Sequence, residues 1–200
     1  MRRIPPRARR LGLPPLLRRF VGAEEGVAAV EFALILPLLL LIYLGSIEAS
    51  SLFTVDRRVE VISTTVADLV ARWNPNQGAI TDDVLGDYFR AAGGIIIPYD
   101  DSRLTQVVSL LSVDDDGVAE VVWSCAYNGG ASFNAGDVYD LGSQMQALSS
   151  GGYVVAATTR YPYRPVLGMV FRDEITLENE ALFLPRFGEG LDAPSGGCPS

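Results

Sequence analysis

Few residues in this 200-residue sequence could carry chemistry, and those few are carboxylates and two cysteines. Histidine and lysine are both absent, so all 16 basic residues are arginines. That removes histidine-based triads, histidine metal ligands, Schiff-base lysines and the lysine of a phosphate-binding loop in one step. Cys125 and Cys198 are the only sulfur nucleophiles, and with no histidine to activate a thiolate a catalytic thiol is the weaker reading of the pair. Two adjacent acid pairs, Asp100 with Asp101 and Asp173 with Glu174, could supply a general acid and base, as in glycoside hydrolysis. Asp114, Asp115 and Asp116 offer oxygens to calcium. They are consecutive rather than alternating, however, and no bidentate Glu follows at EF-hand spacing, so a solvated turn is the better account. One carboxylate stands apart: Glu31 lies inside an apolar run, where burial in lipid costs roughly 2.5 kcal/mol or more unless it finds a partner or a proton.

That run positions everything else. From Val27 to Ile47 every residue but Glu31 is apolar or small, and 21 residues at helical rise span about 31 Å, the thickness of a bilayer's hydrocarbon core. Charge is unevenly placed around it. Residues 1–26 hold seven arginines against Glu24 and Glu25, a net of +5, which leaves −13 for the remainder of a chain whose total is −8. A basic segment before the span keeps the N-terminus in the cytoplasm and sends the C-terminal part outside. The same charges argue against nucleic acid as a partner, because the outer part is acidic and the arginines stand beside a membrane helix. Arg18-Arg19-Phe20 also invites a twin-arginine export reading with a cut after Ser51, but the apolar run is long for a signal core and carries Glu31. An even cysteine pair on the oxidising side is most simply one disulfide, Cys125 to Cys198.

Gly26-Val27-Ala28-Ala29-Val30-Glu31-Phe32, with basic residues upstream and a long apolar helix downstream, resembles the processing site of type IV prepilins and pseudopilins. The continuation, Ala33-Leu34-Ile35-Leu36-Pro37 and then Gly45-Ser46-Ile47-Glu48, is similar to the TadE-type minor pseudopilins of the tight-adherence (Tad/Flp) pilus system. The resemblance implies cleavage by a prepilin peptidase between Gly26 and Val27, leaving a 174-residue chain (200 minus 26) with Glu31 fifth. Physical reasons accompany each motif residue. Gly26 has no Cβ to obstruct a peptidase. Glu31, followed by Phe32, can accept a charge-assisted bond from the new α-amino group of a neighbouring subunit and so set helix register. Pro37 frees the carbonyl of Ala33 and permits a kink that aids packing, as Gly45 does by its size. Glu48, near the outer end, pairs with an arginine such as Arg57 or with another chain.

Beyond the span, Asp56-Arg57-Arg58 marks the exit into water. Val59, Ile62, Val66, Leu69, Val70 and Trp73 recur at spacings of three and four, which puts them on one face of an amphipathic helix running to Asn74. Thr81 reads as the N-cap of a second helix that carries Asp82 and Asp83 in its first turn and stops at Gly93-Gly94. Strands are expected at Leu104–Val113 and Val118–Tyr127, joined by a hairpin at Asp114–Gly117. Residues 128–152 read as a long loop with a helical turn near Ser143–Leu148, a functional or packing surface. Tyr153–Tyr161 is a strand ended by Tyr161-Pro162-Tyr163-Arg164-Pro165, and Ile175–Leu184 is the last strand. Tyr161, Tyr163, Arg164, Arg186 and Phe187 are candidates for an exposed contact patch, against the reading that half or more of them are core or rim.

The expected organisation is a cleaved basic leader (1–26), a transmembrane helix (27–55), its amphipathic continuation (56–74) and a periplasmic domain (75–200). The fold class is α+β, a long N-terminal helix packed on a small antiparallel sheet in the pilin manner. The expected function is structural, without cofactor or metal. It is that of a minor pseudopilin of the bacterial inner membrane, with the prepilin peptidase, other Tad pilins and pseudopilins, the assembly platform and lipid as partners. The competing reading is a membrane-anchored periplasmic enzyme or ligand-binding module working through carboxylates, which requires a deep pocket with two facing acids.

Overall fold

The computed structural model describes residues 25–165, 168, 172–188 and 190–199. The arginine-rich leader and most of 166–172 lie outside the described residues. The chain divides into two compact units, Met1–Ser46 and Ile47–Ser200.

In the first unit the described residues are all helix, the opening stretch of α1 (Glu25–Ala71). Every residue from Gly26 to Tyr43 is exposed. Leucine, isoleucine and alanine favour this helix, and Pro37 lies inside it at the cost of one backbone bond.

The second unit is an α+β domain built around an antiparallel sheet of order β3-β2-β1-β4-β5. Its strands are β1 (Thr105–Val113), β2 (Ala119–Tyr127), β3 (Val138–Tyr139), β4 (Tyr153–Tyr163) and β5 (Ile175–Phe183). Helix α2 spans Asp82–Gly93 and α3 spans Ser143–Ser149. Thr81 caps α2, its Oγ1 accepting the Val84 N–H at 3.3 Å. β1 lies at the centre and is buried on both faces, which is why its apolar residues come as the pairs Val107-Val108 and Leu110-Leu111 rather than alternating. The hairpin to β2 turns where expected. Asp114 Oδ1 accepts the N–H groups of Asp116 and Val118 at 3.0 and 2.7 Å, and Gly117 takes φ +85°.

Two cores result, one on each face of the sheet. On one face Val55, Val59, Ile62, Val66 and Val70 of α1 and Leu85 and Phe89 of α2 pack with Val108, Leu110, Trp123, Cys125, Val155 and Ala157. On the other, Leu111, Val113, Ala119, Val121 and Val154 pack under Leu141, Met145 and Tyr139. A register shift where Leu110 pairs with Trp123 but Leu111 with Val121 lets one strand supply both cores. The long segment 128–152 is therefore the second layer of the domain, and its two-residue strand β3 extends the sheet beyond β2.

Two expectations change. β4 does not stop at Tyr161 but continues through Pro162 to Tyr163, pairing Pro162 with Thr176 of β5. The β1 partner ends at Arg160, so proline sits where β4 has a neighbour on one side only. Tyr161 and Tyr163 are buried in the core rather than exposed as a contact patch, whereas Arg164, Arg186 and Phe187 stay at the surface.

Candidate functional site

The residues singled out by sequence fall in three places. Gly26, Val27, Glu31, Phe32, Pro37 and Gly45 all belong to α1 within the first unit, and all but the half-exposed Gly45 are open to the surroundings. A Cβ built on Gly26 would meet nothing within 4 Å. Leu34 is 75% exposed and Phe32, Leu38 and Tyr43 are about as open, so this stretch shows an apolar surface on all sides. A helix apolar all round is stable only inside lipid or among other apolar helices.

Glu48 belongs to the second unit and is buried, at 2% exposure. Its Oε1 accepts the backbone N–H of Gly168 at 2.7 Å. Arg57, the partner considered from sequence, instead pairs with Glu60 three residues on, at 2.7 Å. A buried carboxylate bonded to a backbone N–H fixes the segment after β4 onto α1. Glu48 and Val55, both before the charged residues Asp56-Arg57-Arg58, are buried within the second unit.

Cys125 and Cys198 are joined in a disulfide that closes a separation of 73 residues. Further contacts hold the C-terminal segment down: Trp123 Nε1 donates to the Leu191 carbonyl at 2.9 Å, and Ser195 forms a bridge to Thr81. The tail thus runs from the β2 core to the start of α2.

The carboxylate pairs considered for catalysis are engaged elsewhere. Asp100 Oδ1 accepts the Ser102 hydroxyl and N–H, at 2.6 and 3.1 Å, and these bonds hold its carboxyl below the usual range. Glu174 Oε2 accepts from Arg164 at 2.8 Å and also from Arg103, and both guanidiniums lower its pKa. A carboxylate held ionised in this way is poorly suited to donate a proton. A groove of about 340 Å³ that sequence reasoning missed opens on the second sheet face, lined by Val107, Phe133, Tyr139, Arg160, Glu178 and Glu180. Its two acids are neighbours along β5 rather than facing each other across a cleft. Glu178 pairs with Arg160 at 2.8 Å, and Glu180 accepts from the Tyr139 hydroxyl. Desolvation first, and the bond to Glu180 second, push the Tyr139 hydroxyl pKa well up. The alternation of β5 could have signalled this face, since Thr176, Glu178 and Glu180 are its outward polar set.

The arrangement is thus a fully exposed apolar helix followed by a domain that buries the helix's continuation. A family model described as TadE-like protein matches residues 26–67. The similarity to that family covers 42 of the 200 residues. The match begins at Gly26 and ends inside the docked half of α1, so it covers both the exposed stretch and the start of the packed one. No curated protein and no solved structure matches the chain. The TadE-like family is a structural, pilus-associated one, and the matched residues include an apolar stretch long enough to cross a membrane.

Proposed function

We propose that the chain is a minor pseudopilin of a Tad pilus, anchored in the bacterial inner membrane by residues 27–46, with the N-terminus cytoplasmic and the domain from Ile47 onward on the periplasmic side. The observation that carries this reading is the coincidence of the TadE-like match with a helix whose apolar surface finds no cover within its own unit. Twenty residues at 1.5 Å each give about 30 Å, enough to cross the hydrocarbon core. The work of such a protein is assembly rather than turnover. A prepilin peptidase cuts between Gly26 and Val27, the freed α-amino group pairs with Glu31 of a neighbouring subunit, and the apolar helices pack around Pro37 and Gly45. The domain beyond Ile47 then limits or directs the addition of further subunits. Its partners are the peptidase, other Tad pilins and pseudopilins, and the inner-membrane platform.

The test is the intact mass and N-terminal sequence of the membrane-extracted protein, expressed with and without the prepilin peptidase. A peptidase-dependent N-terminus at Val27, abolished in Gly26→Val, is the expected result. An uncut chain, or a cut after Ser51, overturns it.

A further inference from the structure

The two edges of the sheet are built differently. At one edge β3 is two residues long, a blunted end of the kind that resists pairing with another chain. At the other edge β5 is nine residues long and pairs with β4 along its whole length. Among the described residues no strand pairs with its far side. Alternate residues of β5 therefore turn unpaired N–H and C=O groups outward, a template for one more strand.

α1 runs directly beneath this edge, since Ser63 Oγ donates to Asn179 Oδ1 at 2.9 Å. The side of α1 opposite the core carries Val61, Thr64, Thr65 and Leu69, and with Phe183 and Asp68 these line a shallow groove of about 350 Å³. Thr64 and Thr65 donate their hydroxyls to the carbonyls of Glu60 and Val61 in the preceding turn. With these hydroxyls bonded back to the helix, the surface of the groove is mainly apolar. The sheet thus stops one strand short of covering the helix. Leu69, expected from its spacing to be core, is only half-buried for this reason.

We propose that the free edge of β5 takes up an extended segment of another polypeptide as a sixth strand, with one set of alternating side chains apolar and the other basic. Strand pairing satisfies the edge amides, and period-2 alternation sends every second side chain into the groove over Val61, Leu69 and Phe183. The remaining side chains fall beside Glu178 and Glu180 on the opposite face; Arg160 balances Glu178 and Tyr139 donates to Glu180 without neutralising it, which leaves one net negative charge, so arginine or lysine is favoured there and acid is not. A second copy of this chain paired over the full length of β5 does not suit the site: a two-fold axis at the strand's centre, Asn179, would set Glu178 against Glu180 in both directions, and like charges directly opposite are destabilising. This inference rests on the sheet edge and does not depend on the pilus reading.

The experiment uses the full-length protein in lipid nanodiscs and a nine-residue peptide alternating valine and arginine, with a valine/glutamate peptide as control. Binding is read by fluorescence anisotropy, and amide hydrogen exchange locates the site. The expected result is slower exchange confined to β5 and the facing turn of α1, with the arginine peptide bound at least about tenfold more tightly than the glutamate one, about 1.4 kcal/mol. Glu178→Gln combined with Glu180→Gln leaves Arg160 without its carboxylate and should abolish or invert that preference while leaving strand protection in place. Val61→Glu, at an exposed helix position that the fold does not need, should weaken both peptides. Unchanged β5 exchange at saturating peptide, protection elsewhere, or a preference indifferent to Glu178 and Glu180 would overturn the proposal.

Discussion

Two halves of one helix obey different rules. From Val27 to Ser46 nearly every residue of α1 is apolar or small, and almost all are exposed. From Ile47 to Ala71 most apolar residues fall on a stripe that is buried, with Val55, Val59, Ile62 and Val70 at 0% exposure, while Ile47, Phe53 and Val61 stay outside it. Patterning decides this. A stripe of period 3.6 matches a single protein face, and the sheet supplies that face. A helix without a polar side has no orientation that one small domain could satisfy, so its surface is left for lipid or for other helices.

Removing the disulfide with Cys125→Ser and Cys198→Ser should destabilise the outer domain by about 4 kcal/mol on the chain-entropy model. Thermal unfolding in detergent, followed by tryptophan fluorescence of Trp123, would show it, and the first half of α1 should remain helical throughout. Ile62→Ala empties a fully buried site and should cost about 3 kcal/mol in the same assay, whereas Leu39→Ala, an equally large truncation in the exposed half, should leave domain stability unchanged. An equal loss from both would remove the distinction between the halves.

Glu48 marks where one regime gives way to the other. Glu48→Ala leaves the Gly168 N–H without its carboxylate and should cost about 2 kcal/mol, with faster exchange at that amide as the direct readout.

The smallest effect is expected in acid. Burial alone would raise the carboxyl pKa of Asp68, but its bonds to Arg72 and Arg186 outweigh that and lower it. Glu174 is likewise lowered, by Arg164 and Arg103. Groups with depressed folded-state values stabilise fully above their unfolded values and lose that contribution as pH falls through the folded ones. The domain should therefore hold a constant unfolding midpoint above about pH 5 and lose a little below about pH 4. A midpoint that instead rises on acidification would contradict these pairings.

Much of this was legible in the sequence because local rules and packing agreed. The docked stripe of α1, the Thr81 cap and the Asp114–Gly117 turn are each set by neighbours in the chain. What was missed depends on distant partners. Pro162 stays in β4 because β1 ends two residues earlier, and no local signal reports where another strand stops. The bulge that lets Trp123 and Val121 serve opposite cores is invisible in an alternation that reads smoothly. The segment 128–152 has a loop's composition, yet Leu141 and Met145 make it a packing layer. Glu48 reads as a span-end carboxylate seeking an arginine, but its bond goes to a backbone amide 120 residues away. The apolar stretch itself was legible from composition alone, because its surroundings are supplied from outside the chain.

The central claim is that the first half of α1 lies in the membrane and everything after Ser46 lies outside it. Labelling of variants with one added cysteine, the Cys125–Cys198 disulfide kept, with a membrane-impermeant maleimide in intact spheroplasts tests this. Phe53, 70% exposed, and Val61 lie beyond the proposed boundary, while Leu34 and Leu39 lie within it. The account predicts that Phe53→Cys and Val61→Cys react from outside, and that Leu34→Cys and Leu39→Cys react only after detergent is added. Reaction of Leu34→Cys or Leu39→Cys in intact spheroplasts, or protection of Phe53→Cys and Val61→Cys until the membrane is opened, would contradict it.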